Sequence, residues 1–389
     1  MRVLHVITRL VVGGAQENTI ATVLGLHARG LDVRLLAGPT TGPEGSLEPV
    51  IAGAGLFSKV PNLIRAVRPW QDWLAYRDLL RRFCVSRPAL VHTHSGKAGI
   101  LGRFAAARAG VRLIVHSIHG PSFGAFQGLL SNVVFRSAER RAGRVTTHFV
   151  SVADAMTQQY LAAGIGSPQQ YTTIRSGFAL EPFLNARNDP ELRRRLGLAP
   201  DDFVVGKIAR LFQLKGHDDL FSVAPALVAA QPHVRFLLVG DGEWRGRFEQ
   251  MARSLGLEKH FIFTGLVPPE EVPRYVGVMN ALAHLSLREG LPRSLPQAMA
   301  GGKPVVAYDC DGAREVCQNG VTGFLLPAGD KAGLQARLIE LAAAPRLCEE
   351  LGARGRRLVT EQFSVEKMVA DIHALYLKLE ASHGTLAKH

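Results

Sequence analysis

Short apolar runs bounded by turn residues recur along the first half of the chain, at residues 3–8, 33–37, 90–93, 113–117, 149–152 and 172–174. The same style returns in the second half, at 203–208, 234–239, 261–263, 281–286, 304–307 and 324–326. Continuous runs of this length, without strict apolar–polar alternation, predict strands buried on both faces. Between them the apolar spacing lengthens to three and four residues, as at Trp73, Tyr76, Leu80 and Phe83, which predicts amphipathic helices. Strand and helix therefore alternate twice over. This pattern predicts an α/β protein of two doubly wound parallel sheets, with ligands expected where the carboxyl ends of the strands face a crevice. Turn formers and charges mix across residues 183–190, ahead of a new helix at Glu191, so the join divides the chain into domains 1–183 and 184–364. A last helical pattern over 365–379 opens a C-terminal segment, 365–389, able to pack across the domains.

A length of 389 residues and 47% apolar residues agree with two cores and exclude a largely disordered chain. No apolar stretch is long enough to span a bilayer, and the N-terminus lacks the apolar centre and cleavage site of a signal peptide, so it reads as a first strand. Cys84, Cys310, Cys317 and Cys348 form no Cys-x-x-Cys pair and no disulfide framework, which points to a reducing, cytoplasmic setting. Charge changes the picture more. Residues 1–183 carry 20 Lys/Arg against 9 Asp/Glu, a net +11, whereas residues 184–389 carry 26 against 24, a net +2. A basic half beside a near-neutral one suits an anionic partner such as a membrane surface, unless it is simply a solvated arginine-rich face. Arg65, Arg68, Arg77, Arg81 and Arg82 around Trp70 and Trp73, with Arg136, Arg140, Arg141 and Arg144 along a second helical pattern, are the residues suited to headgroups. A nucleic-acid binder is the competing non-enzyme reading, but zinc spacings, stacking motifs and a helix-turn-helix pattern are missing.

Three places carry candidate chemistry. Gly13 and Gly14 follow the first strand and precede a helix, a turn able to expose backbone N–H groups to an anion. Arg210 and Lys215 follow the first strand of the second half, where a guanidinium fork and an ammonium together can clamp a diphosphate. The densest signal is the segment 286–304: a strand ends, Glu289 sits in the loop, Gly290 frees the backbone, and a helix begins near Leu291 and Pro292. Glu289 can accept hydrogen bonds from sugar hydroxyls, and Gln297, eight residues on and about two helical turns deeper, presents an amide to a ribose hydroxyl. Asp309-Cys310-Asp311 has the spacing of a metal-diphosphate site, but it follows a buried strand as an ordinary strand-end turn and is read as non-metal.

Together with Val91-His92-Thr93-His94-Ser95, Lys97-Ala98-Gly99, Ile118-His119-Gly120, Lys215-Gly216-His217, Val239-Gly240-Asp241-Gly242 and Phe263-Thr264-Gly265, these residues resemble family 4 of the retaining glycosyltransferases. The resemblance runs from Arg2 to about Tyr376, with one departure: the family's second glutamate, eight residues after the first, is Gln297 here. It implies the GT-B architecture, two Rossmann-like domains facing an interdomain cleft, and a nucleotide-diphosphate sugar as donor without metal or other cofactor. It further implies an acceptor domain at 1–183, a nucleotide-sugar domain at 184–364, and a glycan or lipid-linked acceptor of cell-surface polysaccharide or glycolipid synthesis. Gly13, Gly14, Arg210, Lys215, Gly240, Asp241, Glu289, Gly290, Leu291, Pro292 and Gln297 would meet the donor. His94 and His119 would meet the acceptor; Glu289, His119, Arg210 and Lys215 would carry catalysis. The plainer role for His92, His94 and His116 is to satisfy loop backbone at strand ends. A nucleotide-sugar epimerase of the same architecture is the alternative enzyme.

Overall fold

The computed structural model describes residues 1–41, 45–124 and 127–386, the last three of these by backbone alone. Two compact units are present: Met1–Phe178 with Val365–His389, and Ala179–Ser364. The division falls after Phe178, ahead of the expected join at 183. Phe183 is buried, and its short helix Glu181–Leu184 packs in the second unit against helices Val272–Val278 and Ser294–Ala300.

The first unit holds a parallel sheet of β1 (Arg2–Ile7), β2 (Asp32–Ala37), β3 (Phe57–Lys59), β4 (Leu90–His94), β5 (Leu113–Ile118), β6 (His148–Ser151) and β7 (Tyr171–Thr173). Its order is β3-β2-β1-β4-β5-β6-β7, so the winding reverses between β1 and β4. The second unit holds β8 (Phe203–Ile208), β9 (Val234–Val239), β10 (Phe261–Phe263), β11 (Ala281–His284), β12 (Val305–Tyr308) and β13 (Gly323–Leu326). Here the order is β10-β9-β8-β11-β12-β13, and the reversal lies between β8 and β11. Every pairing between these strands is parallel, as a series of strand–helix–strand crossovers requires. At the two reversals, β1 meets β4 from Val3–Leu90 to Val6–Thr93, and β11 meets β8 at Ala281–Val205. Central strands β1, β4, β5, β11 and β12 are almost wholly buried, as continuous apolar runs require.

The C-terminal helix Val365–Leu386 belongs to the first unit. Met368, Val369, Ile372, Leu375, Tyr376 and Leu379, spaced as one helical face, enter a single core with Val3, Ile20, Val23 and Leu26. Close approach to helix Gly14–Ala28 depends on Gly25, where a Cβ would stand 2.6 Å from the Val369 side chain.

Among the described residues, the ion pair of Arg103 and Glu139 is fully enclosed. Arg103, on helix Gly96–Arg108, donates from Nη2 to Glu139 Oε2 at 2.6 Å and from Nε to the Gly99 carbonyl at 2.8 Å. Ser122 donates to the other Glu139 oxygen at 3.0 Å, and both charged side chains are 0% exposed. Removing one member leaves a buried charge without its counter-charge. Glu139→Ala is therefore expected to lower stability by about 3–5 kcal/mol, while the paired replacement Arg103→Met with Glu139→Leu recovers most of that loss. Urea unfolding followed by tryptophan fluorescence, whose three reporters include Trp70 and Trp73 of this unit, measures both.

Candidate functional site

In the second unit, the loops leaving β8 and β11 diverge at the reversal of winding, the place where such sheets bind ligands. Lys215 comes from the first loop and Glu289 from the second. Lys215 Nζ donates to Glu289 Oε1 at 2.5 Å and lies 3.4 Å from Ser286 Oγ. The lysine is held there by Gly216, which has a φ of +67° and would bring a Cβ to 2.0 Å from the Leu285 carbonyl oxygen. Only glycine permits both the left-handed turn and this approach to the end of β11. The Glu289 backbone N–H donates to Asp311 Oδ2 at 2.7 Å, which fixes the loop from the β12 side. Behind the pair, His284 Nε2 stands 3.8 Å from Glu289 Oε1, and His284 Nδ1 meets Ser294 Oγ at 3.0 Å.

Burial, the largest single influence, pushes the Glu289 carboxyl up, but the Lys215 ammonium together with His284 and the Ser286 hydroxyl outweighs it and lowers the group below its ordinary value. His284 is pushed down to about 4 by burial, so it is neutral at pH 7. The result is an acceptor-only carboxylate braced on an ammonium, at the mouth of a parallel sheet. Such a pair can take hydrogen bonds from hydroxyls through Glu289 and offer positive charge to a phosphate through Lys215.

The other expected donor-site residues fall into place unevenly. Arg210 is exposed at the end of β8, with its guanidinium 5.9 Å from the Phe212 ring centre. Gly240 and Asp241 follow β9, where Asp241 pairs with Arg245 at 3.2 Å. Gly290, Leu291 and Pro292 are loop, and the helix begins only at Ser294. Gln297 consequently sits in the first turn of helix Ser294–Ala300, not two turns deep as expected. The Asp-x-Asp spacing resolves into separate duties: Asp309 pairs with Arg314, and Asp311 holds the Glu289 loop. In the first unit, Gly13 and Gly14 open helix Gly14–Ala28 after β1, and His119 lies just past β5, partly exposed. His94 is 1% exposed, with its two ring nitrogens engaged by His5 at 2.9 Å and His119 at 3.0 Å. Expected at the acceptor, it stands instead one layer behind His119.

Residues 188–358 match the glycosyl transferases group 1 and residues 13–177 match the glycosyl transferase 4-like domain. The chain is a glycosyltransferase of family 4. Among curated relatives, the transferase is 26% identical over 324 residues to the Escherichia coli UDP-Gal:alpha-D-GlcNAc-diphosphoundecaprenol alpha-1,3-galactosyltransferase, covering 82% of this chain and 83% of that protein. It is 32% identical over 264 residues to the GDP-mannose-dependent alpha-(1-6)-phosphatidylinositol monomannoside mannosyltransferase of Mycolicibacterium smegmatis, covering 64% of this chain and 66% of that one. Anabaena HepE, crystallised with UDP and glucose, superposes with a TM-score of 0.83 over 97% of this chain and 100% of its own, at 22% identity. That likeness establishes the GT-B fold of the transferase.

Sequence reasoning missed several residues around the pair. Asp311 was read only as part of a metal-like spacing, although its carboxylate positions Glu289. Lys207, next to last in β8, is the one charged residue of an apolar run, yet it is 2% exposed. His217, first in helix His217–Ala230, is buried with both ring nitrogens lacking a hydrogen bond, and burial followed by Lys207 and Lys215 pushes it down to about 2. No periodicity distinguishes such residues, because their meaning comes from which strand end lies beside them.

Lys207 makes a stability prediction for the transferase. Burial, then repulsion from Lys215, lowers it from 10.5 to about 7. Between these values the unfolded chain binds a proton that the folded chain lacks, so stability rises with pH across that window, and the penalty is complete below about 7. Lys207→Met is expected to raise the Tm at pH 6, by an amount on the order of a few kcal/mol in stability, and the advantage shrinks towards pH 10. Thermal melts of both proteins across this range check the sign.

Proposed function

We propose that the transferase moves a sugar, with retention of anomeric configuration, from a nucleotide-diphosphate sugar to a lipid-linked or growing polysaccharide acceptor. The observation that carries this reading is the Lys215–Glu289 pair, 2.5 Å apart across the strand reversal of the unit that matches the group 1 family. As the glycosidic bond to the diphosphate breaks, negative charge grows on the leaving oxygens and positive charge on the anomeric carbon. Lys215 and Arg210 stabilise the first; Glu289, holding sugar hydroxyls, orients the second. Glu289 is committed to Lys215 and Asp311 to the loop backbone, which favours attack from the same face as the leaving group, whose own phosphate oxygen takes the acceptor proton. Gln297 serves a ribose hydroxyl, and Gly13 and Gly14 offer backbone N–H groups to the diphosphate. His119 orients the incoming sugar or acceptor hydroxyl. Metal has no part in this scheme. The family match favours transfer over epimerisation or simple binding.

The donor's base is sought first with UDP, GDP and other nucleoside diphosphates, because a ligand that binds only the folded state raises its melting temperature. Turnover with the donor so found, in EDTA and with undecaprenyl- or inositol-linked acceptors, tests the reaction. Glu289→Gln is expected to lower kcat by about 100-fold or more while leaving the circular dichroism spectrum unchanged. Near-normal turnover by that variant, or conversion of the nucleotide sugar without acceptor, would overturn the assignment.

The acceptor side bears on location. Among the described residues no helix is long and apolar enough to cross a membrane. Helix Leu129–Gly143 nevertheless turns Leu129 (87% exposed), Leu130 (85%), Val133 and Val134 to solvent, with Arg140 and Arg141 exposed further along it. Trp70 and Trp73, stacked 4.8 Å apart, form a second exposed apolar surface, with Arg77 over the Trp73 ring. We read these as a peripheral footing on the anionic cytoplasmic membrane face, close to lipid-linked acceptors. Flotation at low salt is expected to enrich the transferase with anionic over neutral vesicles, and Leu130→Asp with Val134→Asp to abolish the enrichment without loss of folding. Equal recovery with both vesicle types would rule the footing out.

A further inference from the structure

Six polar side chains of the first unit form one unbranched hydrogen-bonded column. Ser117 Oγ meets His92 Nε2 at 2.7 Å, and His92 Nδ1 meets the Tyr376 hydroxyl at 2.5 Å. The same hydroxyl reaches His5 Nε2 at 3.4 Å; His5 Nδ1 meets His94 Nε2 at 2.9 Å; His94 Nδ1 meets His119 Nε2 at 3.0 Å. Tyr376, His5 and His92 are 0% exposed and His94 is 1%, whereas His119 is partly exposed. The ring nitrogens pack so closely that the rings stack, His92 on His94 at 4.3 Å and His94 on His119 at 5.3 Å between centres.

Burial lowers the histidines, His5 to about 3 and His119 to about 4, with His92 and His94 also well below their ordinary value. Each neutral imidazole has one N–H donor and one bare nitrogen. The column therefore has only two complete arrangements, and the single Tyr376 proton selects between them. If Tyr376 donates to His5, then His5, His94 and His119 each turn an N–H outward, and His119 is left with a proton on Nδ1. If Tyr376 donates to His92, His92 donates to Ser117, His5 donates to the Tyr376 oxygen, His94 donates to His5, and His119 donates from Nε2 to His94. His119 Nδ1 is then a bare acceptor. The shorter Tyr376 contact is the one to His92, and a phenolic hydroxyl is a better donor to imidazole than imidazole is to phenol, so the second arrangement is favoured.

We propose that Tyr376, from the C-terminal helix, is a positioning residue that fixes His119 as the Nε2–H tautomer and so presents Nδ1 as a hydrogen-bond acceptor to a substrate hydroxyl. The part concerning substrate rests on the reading of His119 given above; the tautomer does not. A metal held by His5, His92 and His94, whose ligand atoms lie within 4.8 Å of one another, is the competing account of the cluster. Every one of the ring nitrogens of these three residues is already taken by the column, which the metal account leaves unexplained.

Nitrogen-15 histidine spectra of the intact protein read the tautomer directly, with the His119 signals assigned by their loss in His119→Gln. The expected wild-type result is a protonated Nε2 and a bare Nδ1. In Tyr376→Phe the selecting proton is gone, and the His119 shifts are expected to move towards the average of the two tautomers. Turnover is expected to fall roughly tenfold in kcat, the scale of one net hydrogen bond, with a smaller change in KM. Ser117→Ala, at the far end, removes no proton that the favoured arrangement needs and is expected to leave the His119 tautomer unchanged. A wild-type His119 protonated at Nδ1, unaltered His119 shifts in a folded Tyr376→Phe, or one equivalent of zinc in the purified protein would each overturn the proposal. Correct tautomer shifts with unchanged kinetics in Tyr376→Phe would instead count against the substrate role of His119 alone.

Discussion

A parallel strand covered on both faces has nowhere along its length to place chemistry, and the whole molecule is arranged around that constraint. Its side chains must be apolar or fully satisfied, because an unpaired polar group in such a layer costs several times what a hydrogen bond contributes. Reactive groups are thus driven to the carboxyl ends, where the chain turns to meet water. Lys215 and Glu289 occupy those ends at the reversal between β8 and β11, and His119 occupies the end of β5. Most polar residues that remain inside the sheets comply, in different ways, whereas Lys207 in β8 departs from the rule and carries the cost as a lowered pKa. The Thr93 hydroxyl lies between the Val115 carbonyl and the His116 ring, within reach of both, and on the helices that cover the sheet Arg103 and Glu139 neutralise each other.

That same constraint explains what could be read from the sequence. Val204, Val205, Phe236, Leu237 and Leu238 announce buried strands by composition alone, and the loops after them announce candidate chemistry by containing charge at all. β3 escaped notice because Phe57-Ser58-Lys59 is a half-buried edge strand too short to show a pattern. The start of helix Ser294–Ala300 was misjudged because Leu291 and Pro292 look like its first turn while serving as buried loop. Lys215 and Glu289 were both visible as candidates, but their direct contact spans 74 positions and depends on a strand order that no local pattern encodes.

Tyr376 was the least legible of all. On its helix it has the spacing of a core aromatic, and it does occupy the core; only the hydroxyl, meeting a histidine 284 positions away, gives it another role. The strand-end histidines were expected to satisfy loop backbone. They bond side chains instead, His92 to Tyr376 and Ser117, His94 to His5 and His119, and His116 to Thr93, connections that their number in a sequence cannot reveal. The charge asymmetry was legible in sign, whereas the exposed row from Leu129 to Val134 was not, because an apolar helical face ordinarily signals core.

The C-terminal helix has a consequence for how the protein comes into being. As residues 1–178 leave the ribosome, the face formed by Ile20, Val23 and Leu26 has no cover, because Met368, Val369 and Ile372 are still almost two hundred codons from translation. The second unit, contiguous from Ala179 to Ser364, meets no such delay. The unit begun first is thus completed only after the second, so a stop codon placed just ahead of Val365 would spare the second unit and leave the first for chaperones and proteases.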